Sequence, residues 1–294
     1  MSGKTKNQHY VPQMYLNRFA SGGEKLCVWK LETNQILENQ NSRNYAAKRY
    51  FYDADKAKLN ELAAEMASIH PEINNVIESE DVQFIEKGLC RAEGDASFVI
   101  DSIIQDHSQI YDRAIMQKLI IFVHDLAYRT ERFRKQIENT KMSSMRSKVE
   151  SDTLMKIKTA GRDTQLYQLL GIEPLIKTAH MLVENYNWYI GIVEGSSKLL
   201  ISDNPAQGIM MGFNDICIPL CAEKAVIFRM HNPAAPYLSN DEPVNNEIFL
   251  SDRSVFAYNA IQLSYANRFM FGDKENLDFL KRMKERQESF GGSF

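Results

Sequence analysis

The chain has 294 residues, 44% of them hydrophobic and 25% charged, enough for one large core or two smaller ones. Its 35 lysines and arginines against 38 acidic residues give a formal net charge of −3, which excludes a surface that is basic all over and confines any nucleic-acid contact to a local patch. No apolar run approaches the ~18 residues of a membrane helix, the opening MSGKTKNQ carries no leader pattern, and Cys27, Cys90, Cys217 and Cys221 are expected as free thiols in a cytoplasmic protein.

Pro12 suits the first turn of a helix and Gly22-Gly23 stop it, so a short helix is expected over 12–20. The two partly alternating runs of KLCVWKLETNQILEN, parted by Thr33-Asn34-Gln35, read as a hairpin, and YAAKRYFYD as a third extended or short helical piece of a mixed N-terminal element over 9–55. From residue 57 the period changes: Leu59, Leu62, Ala63, Met66, Ile69, Ile73, Val76 and Ile77 recur in steps of three and four, with Pro71 as a kink or break. A helix through Val82, Ile85 and Leu89 follows, then one near 95–107. A long helix striped by Ile115, Leu119, Phe122, Leu126, Phe133 and Ile137 comes next. TKMSSMRSKVESD, 140–152, reads as a mobile insertion or the exposed end of the long helix, the least ordered internal segment expected. QLYQLLG and EPLIKTAHMLVENY close a helical lobe over 56–187.

Strands return at Trp188. NWYIGIVEG and KLLISDNP flank Gly195-Ser196-Ser197, ICIPLCAEKAVIFRM extends the sheet, 245–271 read as a helix, and KENLDFLKRMKERQES as a charged helix before GGSF. Strands at both ends of a helical middle, without regular βα alternation, imply an α+β fold. Its small, largely antiparallel sheet joins N-terminal and late strands within a single domain, 1–294.

Several polar residues stand where chemistry could be done. His9 lies three positions ahead of the expected short helix, whose positive end favours a neutral imidazole usable as base or hydrogen-bond partner; tying its own loop to a carbonyl is the plainer role. In LLISDNPAQG, Asp203 at a strand end can act as base, metal ligand or orienter of a histidine, and Asp-Asn-Pro is equally a strong turn. Arg129 follows Asp125 by four residues, an ion-pair spacing, and also borders the apolar stripe, where a guanidinium can hold a phosphate. Asn259 shares a face with Val255, Leu263 and Ala266, so its amide is buried and holds either a loop carbonyl or a site side chain. Residues 129–148 carry seven Lys or Arg against two Glu, a solvated face or a phosphate-tracking surface. Cys217 and Cys221 form a C-x3-C without a second ligand pair and read as strand residues, and no P-loop, G-x-G-x-x-G, G-x-S-x-G or H-E-x-x-H occurs.

HYVPQMYLNRF (His9 to Phe19), Arg129-Thr130, Ser202 to Pro205, Pro219-Leu220 and Asn259, in this order, resemble a large family of uncharacterised, mostly microbial proteins, catalogued as domain of unknown function 4238, in which the Arg-Thr pair ends a long apolar helix. The resemblance spans about residues 9 to 272. A family glutamate in the first long helix corresponds to Glu65 or Glu72. The resemblance implies a site made of His9, Tyr10, Arg129, Asp203, Asn204 and Asn259, without naming a reaction. Two functions fit. In one, a hydrolase cleaves a phosphodiester in a nucleotide or nucleic acid, as a toxin or phage-defence effector would. There His9 is base or acid, Asp203 orients it or holds a divalent metal, Arg129 neutralises phosphate, and Tyr10, Asn204 and Asn259 bind substrate. In the other, the same residues are a structural polar core of a ligand-sensing or protein-interaction module. The first needs an open cleft with His9, Arg129 and Asp203 pointing into it; the second needs a closed, hydrogen-bonded cluster.

Overall fold

The structure, a computed structural model, describes residues 7–20, 25–53, 84–143 and 151–289. The helices expected between 57 and 82, with Glu65 and Glu72, lie outside the described residues, as does most of 140–152.

The elements run in the order β1 (Asn7–His9), α1 (Gln13–Leu16), β2 (Lys25–Lys30), β3 (Gln35–Asn41), β4 (Ala47–Arg49), α2 (Phe84–Gln105), α3 (Arg113–Tyr128), α4 (Glu131–Ser143), α5 (Ser151–Leu170) and α6 (Ile172–Asn185). They continue with β5 (Tyr186–Val193), β6 (Ile201–Ser202), α7 (Gln207–Met211), β7 (Asp215–Pro219), β8 (Lys224–Met230), β9 (Pro243–Val244), β10 (Glu247–Leu250), α8 (Asp252–Tyr265), β11 (Phe269–Gly272) and α9 (Lys274–Ser289). The fold is α+β, with small and mostly antiparallel sheets.

N-terminal and late strands do join. One sheet runs β3-β2-β11-β6, so the hairpin β2–β3, turned by Asn34 at a left-handed φ of 51°, receives β11 from near the other end of the chain. The second runs β7-β8-β5-β10-β9 and is antiparallel except for the β5–β10 pair; β1 and β4 form a separate two-stranded ribbon. Side chains alternate across each sheet, which explains two buried faces. Val28 and Phe271 enter the large core shared with the helices, while their neighbours Trp29 and Met270 pack on Leu277 and Leu280 of α9. In the second sheet Val226 and Phe228 face that same large core, and Ala225 and Ile227 pack with Val255 and Tyr258 of α8. Central strands covered on both sides carry unbroken apolar runs, AVIF in β8 and FMFG in β11. Each fully buried side chain of this kind contributes ~2 kcal/mol.

Four expectations need correction. The helices expected at 82–89 and 95–107 are one, α2: Gly94 is exposed, with open space where a Cβ would sit, so it lowers propensity without breaking the helix. The long helix is two, α3 and α4, broken at Arg129-Thr130. KLLISDNP holds only the two-residue β6, and in the other sheet from β5. Residues 245–271 are strand, helix and strand, with Ser251 capping α8 by accepting the Ser254 N–H. Among the described residues no helix is long and apolar enough to cross a membrane.

Candidate functional site

The fingerprint HYVPQMYLNRF packs before it reacts. Tyr10, Val11, Tyr15, Leu16 and Phe19 are all buried. The Tyr10 and Val11 amides both donate to the carbonyl of Ala46, which holds a left-handed φ of 49° at a cost of ~1 kcal/mol. Pro12 caps α1, its carbonyl accepting the Tyr15 and Leu16 N–H groups. The Tyr15 ring stands edge-on to Phe19 and Phe122, and its hydroxyl donates to the Pro219 carbonyl. That bond joins the first motif to the Pro219-Leu220 strand.

Arg129-Thr130 makes the corner between α3 and α4. Arg129 closes α3 by donating its N–H to Asp125, and the Thr130 hydroxyl accepts the Phe133 N–H at the start of α4. The Arg129 guanidinium is 2% exposed and donates to the His9 carbonyl at 2.7 Å, Glu93 Oε1 at 2.8 Å and the Tyr52 hydroxyl at 3.3 Å. Burial opposes its charge, but Tyr52 and Glu93 outweigh burial and hold the guanidinium firmly protonated. Two further acids crowd this hub. Burial pushes the Glu86 and Asp125 carboxyls each up to about 7, with Arg129 opposing and Glu93 adding. The ion pair of Arg129 is therefore with Glu93 of α2, and Asp125, four residues back, is a neighbour that holds its proton towards neutrality.

Burial also holds the His9 imidazole below the usual histidine range, against Glu93 and with Arg129. The ring is thus neutral, as the sequence suggests, but from burial and not from a dipole: α1 spans only four residues. His9 Nε2 is buried and finds no hydrogen-bond partner among the described residues.

Asp203 lies just past β6 and is buried. Its Oδ1 accepts the Asn267 N–H at 2.8 Å, its Oδ2 accepts the Arg268 N–H at 3.0 Å, and the Tyr10 hydroxyl stands 3.5 Å from Oδ2. Burial raises its pKa to about 6, and the backbone N–H groups resist that rise. Asn204 accepts from the Thr130 hydroxyl at 2.9 Å and donates to Gln207 Oε1 and the Tyr265 carbonyl. Asn259 accepts the Leu200 N–H at 2.8 Å and donates to the Lys198 carbonyl at 2.9 Å. That is the plainer of its two expected roles, a clamp on the chain leading into β6.

One network therefore connects four of the five motifs: His9 to Arg129 through a backbone carbonyl, Tyr10 to Asp203, Thr130 to Asn204, and Tyr15 to Pro219. The reactive groups are apportioned differently. The His9 ring has Glu93, Arg129 and the Ser42 and Arg43 carbonyls around it, whereas the Asp203 carboxylate has the 267–269 backbone and Glu131. Glu131, Glu93 and Tyr52 are central residues that the sequence reading passes over. Glu131 is buried yet held below the usual glutamate range, because Lys48 at 2.6 Å and Lys135 at 3.1 Å overcome its burial.

The basic stretch is mostly engaged. Arg132 donates to the Ala266 carbonyl at 3.0 Å, Arg134 to Gln165 and the Phe51 carbonyl while lying 3.7 Å over the Phe51 ring, and Lys135 to Asn267 as well as Glu131. Arg146 and Lys148 lie outside the described residues. Cys217 sits in β7, and among the described residues no group of three or more His, Cys, Asp or Glu is gathered to hold a metal ion.

A family model described as protein of unknown function (DUF4238) matches residues 7–276. No curated protein and no solved structure matches the chain.

Proposed function

The chain belongs to the DUF4238 family, and from that premise we propose that it is a cytoplasmic, non-catalytic module for ligand sensing or protein interaction, whose fingerprint residues form a structural polar core. The observation that supports this is occupancy. Asp203, Asn204, Arg129 and Asn259 are each 4% exposed or less; the two carboxamides and the carboxylate direct their polar atoms at other protein groups, and Arg129 does so through Nε and Nη2. A general base must reach a substrate proton, and a phosphate clamp needs free N–H groups. Asp203 faces backbone amides, and Arg129 faces a carbonyl, a carboxylate and a phenol.

The phosphodiester hydrolase, a nuclease or nucleotide hydrolase acting as a toxin or defence effector, is the second reading. It is favoured by one group: the neutral His9 ring with its unpartnered Nε2 beside Arg129. A chromatographic screen of the purified protein against RNA, DNA and nucleotides, with and without Mg2+ or Mn2+, separates the two. The binding-module reading expects no turnover. Turnover by the native protein that disappears in a His9→Ala variant of unchanged melting temperature would overturn it.

A further inference from the structure

A second polar constellation lies away from the fingerprint, where the end of α2 meets the second sheet. An open cleft of about 530 Å³ there is lined by His107, Ser108, Tyr111, Lys224, Asn246 and Glu247 among others. Lys224 is the first residue of β8 and Glu247 the first of β10; the two strands flank β5 and pair with it at Ile192 and Ile190. Strands fix these two side chains more firmly than loops would. His107 opens the 3-10 turn after α2, which Asp106 caps by accepting the Ser108 N–H. The left-handed Asn245 and Asn246 (φ 49° and 68°) make the tight turn that delivers Glu247.

The side chains form a relay. Glu247 Oε1 bonds His107 Nδ1, and His107 Nε2 stands 2.9 Å from Lys224 Nζ, which also donates to the Ile104 carbonyl at 2.8 Å. A carboxylate only accepts, so the imidazole carries its proton on Nδ1 and turns a lone pair towards the lysine. Lys224 spends two N–H bonds on Nε2 and Ile104, leaving a third for the cleft. Nucleophile, base and orienter in hydrogen-bonded series are the arrangement that activates a weak nucleophile. Capping the C-terminal carbonyls of α2 would explain the Ile104 bond alone; it requires neither the imidazole relay nor the opening. Two carboxylates, Asp106 and Glu247, against one ammonium disfavour an anionic ligand and leave a neutral carbonyl compound as the electrophile for an amine.

We propose that Lys224 captures a small, polar, uncharged aldehyde or ketone as a reversible imine. Nζ passes a proton to His107 Nε2, and its freed electron pair forms the C–N bond as the C=O π pair moves onto oxygen. The oxygen takes that proton back from His107. A second proton then travels from Nζ through His107 to the same oxygen, which leaves as water. One ammonium and one carbonyl thus become one protonated imine and one water, with no change of oxidation state, and Glu247 steadies the transient imidazolium. None of these groups belongs to the polar core, so the outcome is independent of the reading above.

Glycolaldehyde with sodium cyanoborohydride, which fixes the imine as a stable secondary amine, tests this by peptide mass mapping of the whole chain. Lys224 is expected to label at least ~10-fold faster than the exposed Lys177, the factor that positioned acid–base help exceeds in general. His107→Gln should bring Lys224 down to the rate of Lys177, and Lys224→Arg should remove the fast site. Glu247→Leu, which removes the acceptor of the His107 Nδ1 proton, serves the same purpose if His107→Gln does not fold. Equal labelling of Lys224 and Lys177, or a Lys224 rate unchanged when a folded variant breaks the relay, overturns the proposal.

Discussion

At one end of the fingerprint network, Asp203 is fed by backbone: the Asn267 and Arg268 N–H groups of the turn between α8 and β11. At the other, Arg129 is fed mainly by side chains, with Glu93 and Tyr52 in contact and Glu86 and Asp125 close by. A backbone-fed carboxylate is as rigid as the loop it holds, so it pins two distant segments. A hub of side chains holds two acids with raised pKa values against the clamp's one, so its stability responds to pH more steeply. The same family pattern thus contains a fixed clamp and an adjustable one.

The hardest blow to this comparison is at the hub. Arg129→Met leaves Glu93 as a half-buried charge and strips the His9 carbonyl of its shorter donor, leaving only the Tyr52 hydroxyl at 3.3 Å, and should cost ~3–5 kcal/mol of unfolding free energy. Urea titration measures it, and Glu93→Gln in the Met background should recover part of the loss. Full stability of Arg129→Met would show that the hub holds nothing together.

The pH response sharpens the contrast. Asp125 and Glu86 have folded pKa values of about 7 against ordinary values of 3.8 and 4.5, so between those limits the folded state binds more protons than the unfolded state. Their contribution is fully present at low pH, falls as pH rises through this window and is lost above about 7. Asp203, at about 6 against 3.8, acts with the same sign. Asp125→Asn should therefore flatten the decline, and at pH 8 it should be more stable than the native chain by ~1–4 kcal/mol. Urea midpoints at pH 5 and pH 8 for both proteins give the slopes, and identical slopes would contradict the hub's account.

Smaller losses belong to the fixed clamp and the corner. Asp203→Asn replaces a charged acceptor with an amide that presents one acceptor atom to two backbone donors, at ~1–3 kcal/mol in a thermal or denaturant melt. Thr130→Val removes the cap of α4 and the bond to Asn204, at ~1 kcal/mol. A Thr130→Val loss larger than that of Asp203→Asn would reverse the order of importance argued for these two sites.

What the sequence makes legible is local. The hairpin over 25–41 shows because its turn residues and its alternation lie within one window, and α9 shows because its stripe and charges do too. The resemblance places a helix end at Arg129-Thr130, but the periodicity hides it because the apolar stripe runs on through Phe133, whose ring packs edge-on against Tyr128 across the corner. The 245–271 reading follows the true spacing of Val255, Asn259 and Leu263 but carries it past Ala266 into FMFG, an apolar run whose length suits a strand. Glu93 meets Arg129 from another helix, 36 residues away, and nothing in either helix's period reports that pairing. Its placement one heptad after Glu86 on α2 is the only trace, two acids on one face of a helix. The His107–Glu247 contact spans 140 residues and leaves no local mark.

Asp203 is a clamp on backbone, closed to solvent and substrate. Hydrogen exchange of the Asn267 and Arg268 amides in the native protein tests it most directly. Both should exchange only with global unfolding in the native chain, and Asp203→Asn should let them open locally while amides in β8 keep their protection. Fast exchange of these two amides in the native protein would contradict it, since the carboxylate would then be open to water and to a reacting molecule.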